Sequence, residues 1–296
     1  MKGSRLHFDL FRIFCDIAQT GSFSRAANRN HLTQSAVSQQ LSFLERHFGR
    51  RLIDRGRGHL VLTEEGERFL KACRKMVEIY QETLAEIRGS GEISGTVKVE
   101  TVYSIGLHSL DSYLKTFVKR HPKVDLQVEF SRADRIYSAV LNRDCDLGIV
   151  AYPGAHPRLS VVGFKRERMV LVCPPKDVLS SKKSIRWTDL AGRDFVAFYK
   201  DIPTGKAVGE ILRRHNVSVR VVQELDNIET LKRAVEVGRG VSLLPADTVK
   251  EEMCSGTLVG IPPAGAPIYR PTGVIRRNDR NLSRAALAFV EWLGKM

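Results

Sequence analysis

The chain has 296 residues, of which 43% are hydrophobic and 27% charged, and its formal net charge at pH 7 is +14. This length and apolar content are sufficient for two or three domains with cores of their own. The polar start MKGSRLHFDL excludes a secretory signal peptide, and no uninterrupted apolar run is long enough to span a bilayer. We therefore expect a cytoplasmic protein with no membrane partner.

The positive charge indicates a polyanionic partner such as a nucleic acid. Residues 1–62 contain ten Lys or Arg against four Asp or Glu, a balance of +6, which leaves +8 for the rest of the chain. A nucleic-acid contact near the N-terminus therefore explains only part of the charge.

The five cysteines form neither a C-x-x-C pair nor a Cys/His cluster with the spacing of a metal site. An odd, scattered set indicates reduced, mostly buried thiols in the cytoplasm, so no metal is predicted. A redox role for one of them is the alternative. The residues concerned are Cys15, Cys73, Cys145, Cys173 and Cys254.

Two short amphipathic helices are predicted at the start of the chain. The first carries apolar residues at helical spacing and ends at Gly21. The second is capped by Ser22 or Ser24, and its small Ala26 and Ala27 allow another helix to cross close by.

A third helix is predicted in the segment 31–48, with Thr33 as its cap. Its buried stripe consists of Val37, Leu41, Leu44 and Phe48. Its polar side carries the short or basic residues Gln34, Ser35, Ser38, Gln39, Ser42 and Arg46. Such a face can lie in the major groove of DNA, where Gln pairs bidentately with adenine. The alternative is an ordinary solvated helix face.

Short strands are predicted at 51–54 and 59–62, around a tip that reads Arg55, Gly56, Arg57 and Gly58. Together with the three helices, this pattern indicates a winged helix-turn-helix. The arginines Arg55 and Arg57 are then suited to backbone phosphates or to a minor groove.

This N-terminal stretch resembles the LysR-type transcriptional regulators. Three segments carry the resemblance: FCDIAQTGSFSRAA, LTQSAVSQQLSFLERHFGRRLIDR and LTEEG. Ser35 stands where the family often has proline, and Gln39 where it often has arginine. The resemblance implies a DNA-binding transcriptional regulator that binds double-stranded DNA and a small-molecule effector, forms homodimers and homotetramers, and can contact RNA polymerase.

A long helix is predicted from Thr63, because apolar residues recur at alternating gaps of three and four. These residues are Phe69, Cys73, Met76, Tyr80, Leu84 and Ile87. The narrow stripe favours a partner helix in a dimer, as the family resemblance implies, and the alternative is a helix packed only on its own domain. A flexible break follows at the small residues Gly89, Ser90, Gly91, Ser94 and Gly95.

From residue 96 onward strand and helix patterns alternate, which predicts an α/β fold with largely parallel sheets. The strands are predicted at 96–102, 124–130, 146–150, 169–173, 194–199, 217–225, 241–244 and 272–276. The helices are predicted at 107–121, 134–142, 205–215, 228–238 and 283–293.

The family resemblance divides this region into two lobes, like periplasmic solute-binding proteins, with the chain crossing near Lys165 and returning near Tyr269. The expected domains are a winged helix-turn-helix at 1–62, a linker and dimerisation helix at 63–91, and an effector-binding domain at 92–296. Its lobe I covers about 92–165 and 270–296, and its lobe II about 166–269.

Polar residues follow several predicted strands, where ligands bind in open parallel sheets. By resemblance these positions line the effector cleft: Thr101, Tyr103, Ser104, Ser131, Arg132, Phe198, Thr204 and Lys206. Hydroxyls combined with Arg132 as a bidentate donor and Lys206 as a point charge predict a small anion rather than a cofactor. Each residue alone could instead be a helix cap or a solvated charge.

Two other functions fit the sequence less well. An enzyme is not favoured, because the chain lacks a nucleophile elbow, a Walker loop, a dinucleotide glycine fingerprint and an H-E-x-x-H motif, so no catalytic residue is predicted. A transport-linked binding protein would be exported and would lack the helix at 31–48. The sequence therefore predicts a ligand-responsive transcription factor.

Overall fold

The computed structural model describes residues 6–56, 59–87, 92–279 and 282–294. The chain divides into two compact units, Met1–Gly95 and Thr96–Met296. We call the first the head unit and the second the two-lobed unit.

The head unit consists of helices and one hairpin. Its elements are α1 (Phe8–Thr20), α2 (Phe23–Arg29), α3 (Gln34–Phe48), β1 (Ile53–Gly56), β2 (His59–Leu62) and α4 (Glu64–Ile87). Gly21 ends α1 with a φ of 58°, a left-handed conformation that favours glycine. Ser22, rather than Ser24, caps α2 by accepting the N–H of Arg25, and Thr33 caps α3 in the same way.

The core of the head unit lies between α1, α2, α3 and the start of α4. The predicted stripe of α3 is confirmed for Val37, Leu41 and Leu44, which are all buried. It is wrong for Phe48, which is 43% exposed. Phe48 is the last residue of α3, and its ring contacts Phe69 of α4 at a centroid distance of 4.9 Å and the neighbouring His47 ring at 5.1 Å.

The hairpin begins two residues later than predicted. β1 and β2 pair antiparallel with Gly56 opposite His59, so Arg55 and Gly56 belong to a strand rather than to the tip. The reason lies in α3, where the Glu45 carboxylate accepts the backbone N–H of Leu52 at 2.9 Å. That contact holds Leu52 against α3, so the pairing of β1 with β2 starts only at Ile53.

Helix α4 begins with the predicted cap, because the Thr63 hydroxyl accepts the N–H of Gly66 at 3.0 Å. Its first half contributes Leu70 and Cys73 to the core. Further along the helix, large apolar side chains are exposed, namely Met76, Ile79, Tyr80 and Ile87.

The two-lobed unit alternates strands and helices. Its strands are β3 (Gly95–Thr101), β4 (Val124–Phe130), β5 (Leu147–Ala151), β6 (Leu159–Cys173), β7 (Asp194–Phe198), β8 (Arg220–Leu225), β9 (Ser242–Pro245), β10 (Val259–Ile261) and β11 (Tyr269–Arg277). Its α-helices are α5 (Asp111–Arg120), α6 (Ala133–Asn142), α7 (Pro203–Arg214), α8 (Ile228–Glu236), α9 (Lys250–Ser255) and α10 (Arg284–Gly294).

Strands β6 and β11 connect the lobes. β6 pairs with β11 along 159–168 and with β9 and β10 along 169–173. The strand order β6-β11-β5-β3-β4 forms the sheet of lobe I, while β10, the second part of β6 and β9 belong to lobe II with the β7–β8 pair. The chain therefore passes to lobe II along β6 and returns along β11.

The expectation of largely parallel sheets is only partly met. β3 with β5 and β7 with β8 are parallel, but β6 and β11 run antiparallel to their neighbours. Two strands that carry the chain out to a second lobe and back must run in opposite directions, so the sheet is mixed.

Several predicted bounds were wrong for local reasons. The first part of β6 was missed because the basic and acidic residues at 165–168 conceal its strand pattern. The helix predicted at 107–121 begins at Asp111, after a π-helical turn, Ile105–Ser109. That turn directs Ser109 inward, where its hydroxyl donates to Glu167. The short α9, which has no buried residue, and β10 were not predicted at all.

Candidate nucleic-acid interface and ligand cavity

One side of α3 carries the residues that the sequence analysis assigned to DNA. Gln34, Ser35, Gln39 and Arg46 are exposed, and Ser38 and Ser42 are half-buried. The Ser42 hydroxyl donates to the Ser38 carbonyl at 3.0 Å, and Arg46 Nε donates to the Ser42 carbonyl at 3.2 Å. The structure therefore brings these six residues to one helix face.

The local sequence explains why this face is free. Thr33 ends the preceding loop by accepting the Ala36 N–H at 3.2 Å, and the buried Val37, Leu41 and Leu44 orient the helix. Among the described residues, no hydrogen bond involves the Gln39 side-chain amide, which can both donate and accept. Arg55 lies in β1, and Arg57 lies outside the described residues.

In the two-lobed unit a cavity of about 310 Å³ lies between the lobes. Lobe I lines it at the ends of β3 and β4, and lobe II lines it at the starts of α7 and α8. Its lining residues are Val102, Tyr103, Ser104, Ser131, Arg132, Ala133, Ala151, Phe198, Ile202, Pro203, Thr204, Asp226, Asn227, Ile228 and Arg270.

Six of the eight predicted effector residues line this cavity: Tyr103, Ser104, Ser131, Arg132, Phe198 and Thr204. Thr101 does not, because its side chain is fully buried and its hydroxyl donates to the Ile149 carbonyl at 3.3 Å. Lys206 does not either. It is exposed and lies two residues beyond Thr204 on α7, about 200° around the helix axis.

Arg132 bridges the cavity mouth from lobe I to lobe II. Its Nη2 atom donates to Asp201 Oδ2 at 2.7 Å, its Nη1 atom lies 3.5 Å from Asp226, and its Nε atom lies 3.5 Å from Asp134. The Asp201 carboxylate raises the pKa of Arg132 above its ordinary value. The sequence analysis did not predict Asp201 and Asp226 as partners of Arg132, although they lie shortly after the ends of β7 and β8.

Arg270, which the sequence analysis also missed, is a second arginine in the cavity lining. It is 1% exposed, its Nε donates to Glu167 at 2.6 Å, and its Nη1 donates to the Ser104 hydroxyl at 3.0 Å. Glu167 is its partner across the β6–β11 ladder. No local pattern marked Arg270, because only the pairing of two distant strands turns it inward.

Three helices begin at the cavity. The lining includes Ala133 at the start of α6, Thr204 at the start of α7 and Ile228 at the start of α8. Neither α6 nor α7 has a side-chain cap, whereas Asn227 caps α8 by accepting the Glu229 N–H. Helix N-termini carry partial positive charge and free N–H groups, so this geometry suits an anion.

In the described part of the chain, no cluster of His, Cys, Asp or Glu could hold a metal ion. Within those same ranges, no helix has the length and apolar character needed to cross a membrane.

Both units match models of one protein family. Residues 8–67 match the model of the bacterial regulatory helix-turn-helix protein, lysR family, and residues 90–296 match the LysR substrate binding domain. A winged head and a two-lobed ligand domain define the class of DNA-binding transcriptional regulators that respond to an effector. The chain belongs to the LysR family of these regulators.

Individual proteins are similar to this chain in sequence or in fold. The uncharacterized HTH-type transcriptional regulator YfeR of Shigella flexneri is 29% identical over 280 residues, 94% of this chain and 90% of YfeR. A Corynebacterium glutamicum OxyR mutant has a TM-score of 0.78 at 19% identity, over 99% of this chain and 93% of OxyR. The Synechocystis CcmR regulatory domain in complex with 2-PG has a TM-score of 0.62 at 25% identity, over 68% of this chain and 96% of the CcmR domain. The relatives are transcriptional regulators, so the chain is not an enzyme.

Proposed function

We propose that this regulator binds a small anionic effector in the cavity between its lobes and reads operator DNA with the exposed face of α3. One observation carries the effector proposal: both lobes line the same cavity. A ligand that contacts both lobes binds one lobe arrangement better than another and shifts the population toward it. Such a shift is how a small molecule would change DNA binding in the cytoplasm.

Charge and chemistry support an anion. The cavity is lined by four hydroxyl side chains, two arginines and the starts of three helices, and all of these groups donate hydrogen bonds or carry positive charge. A neighbour in fold, CcmR of Synechocystis, was solved with 2-PG in complex with its regulatory domain. By analogy we assign the same class of ligand, a small anion, to this cavity.

We further propose that two chains pair through α4, and that dimers associate into a homotetramer. The exposed apolar residues Met76, Ile79 and Ile87 support this pairing, since a row of such side chains on one helix favours a partner helix. A dimer supplies two reading helices for a two-fold site on double-stranded DNA. Contact with RNA polymerase would follow from binding next to a promoter.

The experiment is a mobility-shift assay with DNA from upstream of the protein's own gene, against unrelated DNA of equal length and composition. We expect tighter binding to the upstream DNA. A thermal-shift screen of small carboxylates, phosphates and sulfates then tests the cavity, because a ligand that binds only the folded state raises the melting temperature. Equal affinity for both DNAs would contradict specific operator binding, and a screen in which only neutral apolar compounds bind would contradict the anionic effector.

A further inference from the structure

Two of the five cysteines share one core. Cys15 of α1 and Cys73 of α4 both belong to the core of the head unit, where Cys73 is fully buried and Cys15 is half-buried. Cys145 and Cys173 lie in separate cores of the two-lobed unit, and Cys254 is exposed. Because a disulfide requires Cα atoms within about 7 Å of each other, the head unit holds the pair that could form one.

The contacts between α1 and α4 place these two side chains opposite each other. The helices run antiparallel, since Phe8 contacts Tyr80 at a centroid distance of 4.3 Å, while Phe14, further along α1, packs against a ring near the start of α4. Cys15 lies two helical turns after Phe8, and Cys73 lies two turns before Tyr80, so each cysteine shares a helix face with its aromatic neighbour. The faces that bring Phe8 to Tyr80 therefore also bring Cys15 to Cys73.

The two thiols differ in exposure and in acidity. A hydrogen bond with Cys73 lowers the pKa of Cys15 against the opposing effect of burial, and Arg74 lowers it further. The same hydrogen bond, together with burial, raises the pKa of Cys73. Cys15 is therefore the group that becomes a nucleophilic thiolate. Burial raises the pKa of Cys145 to about 12 and that of Cys173 to about 11, so these two remain thiols of low reactivity.

We infer that Cys15 and Cys73 form a reversible disulfide when the protein meets a small disulfide such as oxidised glutathione, and that this bond weakens DNA binding. The Cys15 thiolate attacks one sulfur of the oxidant, which forms a mixed disulfide and releases a thiolate. That thiolate takes the proton of Cys73, whose sulfur then attacks Cys15 Sγ and releases the second thiolate, which takes up the proton that Cys15 had lost. The two cysteines are oxidised by two electrons, and the small disulfide is reduced to two thiols.

The new bond would change the packing on which the reading helix rests. A disulfide holds two sulfur atoms about 2.0 Å apart, closer than any nonbonded contact of two thiols, so α1 and α4 must shift toward each other. Helix α3 packs on α1 in the same core through Val37, Leu41 and Leu44. A close-packed core passes such a shift on to its neighbours, and the exposed face of α3 is displaced from the position in which it meets DNA.

The test exposes the full-length protein to oxidised glutathione and then blocks the remaining thiols with an alkylating reagent. Peptide mapping by mass spectrometry should find the disulfide between Cys15 and Cys73, and dithiothreitol should remove it. In a mobility-shift assay with the upstream DNA, the oxidised protein should bind at least about tenfold more weakly, and reduction should restore binding. Cys254→Ala, which removes the exposed thiol, is the control and should behave as the wild type does in both measurements.

Two variants assign the roles of the thiols. In Cys73→Ala the attacking thiol remains but the second one does not, so Cys15 should carry glutathione as a stable adduct. In Cys15→Ala neither the disulfide nor an adduct at Cys73 should form, because the remaining thiol is buried and protonated. Cys15→Ala should therefore keep its DNA affinity under oxidation. If Cys73→Ala fails to fold, Cys15→Ala at the half-buried position still tests the pair.

The outcomes that would overturn the inference are distinct. A wild-type protein that is unchanged by oxidised glutathione, or that carries an adduct without the disulfide, would exclude the pair. A protein that carries the disulfide and binds DNA as tightly as the reduced form would exclude the effect on DNA binding. A loss of DNA affinity on oxidation that Cys15→Ala shares with the wild type would assign the effect to another thiol.

Discussion

Arg132 and Arg270 show how burial and partners give one residue type two roles. Arg132 is about one-third exposed and pairs with carboxylates of both lobes, so water and salt weaken each of its contacts. Arg270 and Glu167 are both buried, where an ion pair is retained only if further hydrogen bonds satisfy it. Ser104 and Ser109 supply those hydrogen bonds. The exposed arginine is suited to exchanging partners, and the buried one to a fixed position between β6 and β11.

The residue that best tests the DNA-binding face is Gln39. Gln39→Ala should cost about 1 to 3 kcal/mol of operator affinity and relax base preference at one position in each half-site, because a bidentate contact to a base edge is lost. The measurement is competition binding against operators mutated one base pair at a time. Gln127→Ala, an exposed glutamine on β4, is the matched control, and an unchanged base preference in Gln39→Ala would mean that α3 meets DNA in another register.

At the scale of elements, the junction between the hairpin and α4 depends on Gly66. A Cβ atom at this position would overlap the Leu52 carbonyl oxygen, which is backbone and cannot move aside. That carbonyl also accepts the Thr63 N–H at 3.0 Å, so the hairpin and the first turn of α4 are held together at one point. Only a residue without a side chain permits this approach.

Gly66→Ala should therefore lower the free energy of unfolding by more than about 1 kcal/mol, as overpacking does. Gly209→Ala makes the same change in the exposed side of α7, where nothing lies within 4 Å of the added Cβ. It should be neutral or stabilise by about 0.5 to 1 kcal/mol, because alanine is the better helix former. Chemical denaturation of both variants measures the difference, and an equal effect of the two would contradict the close approach at Gly66.

Helix α4 carries the second prediction at this scale. Ile79 is 52% exposed and lies beside Met76 on the helix face that remains open. Ile79→Glu should dissociate the proposed dimer, because it places like charges opposite each other in the seam. Gln81→Glu introduces the same charge elsewhere on the helix and should leave the dimer intact. Light scattering decides, and a stable dimer in Ile79→Glu would remove this face from the interface.

At the scale of the whole two-lobed unit, a hydrogen bond and an ion pair between elements of the two lobes hold its arrangement. Glu229 of α8 accepts His108 Nε2 from the π-helical turn at 2.7 Å, and Asp247 accepts Lys165 of β6 at 2.6 Å. Burial raises the pKa of both carboxyls. Hydrogen bonds from Lys232 and His108 to Glu229 outweigh that effect, and those from Lys165 and Lys250 to Asp247 do the same. Both pKa values therefore lie below the ordinary ones.

Because the pKa values of these carboxyls are lowered in the folded state, the two-lobed unit should lose stability in acid. A carboxyl whose pKa is lower in the folded state stabilises the fold above its unfolded pKa, and that contribution is lost as the pH falls through the folded value, because the unfolded chain takes up the proton first. For Asp247 the window lies below its ordinary 3.8. Asp247→Asn should be less stable at neutral pH and lose less stability on acidification below that value. Denaturant titrations over pH measure this, with Asp125→Asn as control, and parallel curves for Asp247→Asn and wild type would contradict the role of the pair.

The elements that the sequence alone predicted are those with local causes. Helix α3 follows from the Thr33 cap and from apolar residues at helical spacing. Strand β4 follows from the alternation of apolar and polar residues in VDLQVEF, and β7 from a short apolar run. The family resemblance rests on three motif segments in a fixed order and needed no structure. Six residues of the cavity were also predictable, because they follow strands whose positions were read from local pattern.

The remaining features depend on residues far apart in the chain. Arg270 meets Glu167 across 103 positions, and Arg132 meets Asp201 across 69, so no local window contains either pair. The first part of β6 is a strand because β11 pairs with it, although its charged residues hide the pattern. Thr101 and Lys206 were assigned to the cavity by their position after a strand, but packing against Ile149 and rotation around α7 direct their side chains elsewhere. The spacing of apolar residues in the sequence indicates which side chains are buried together within one element. Only the pairing of distant elements decides which side chains face a common cavity.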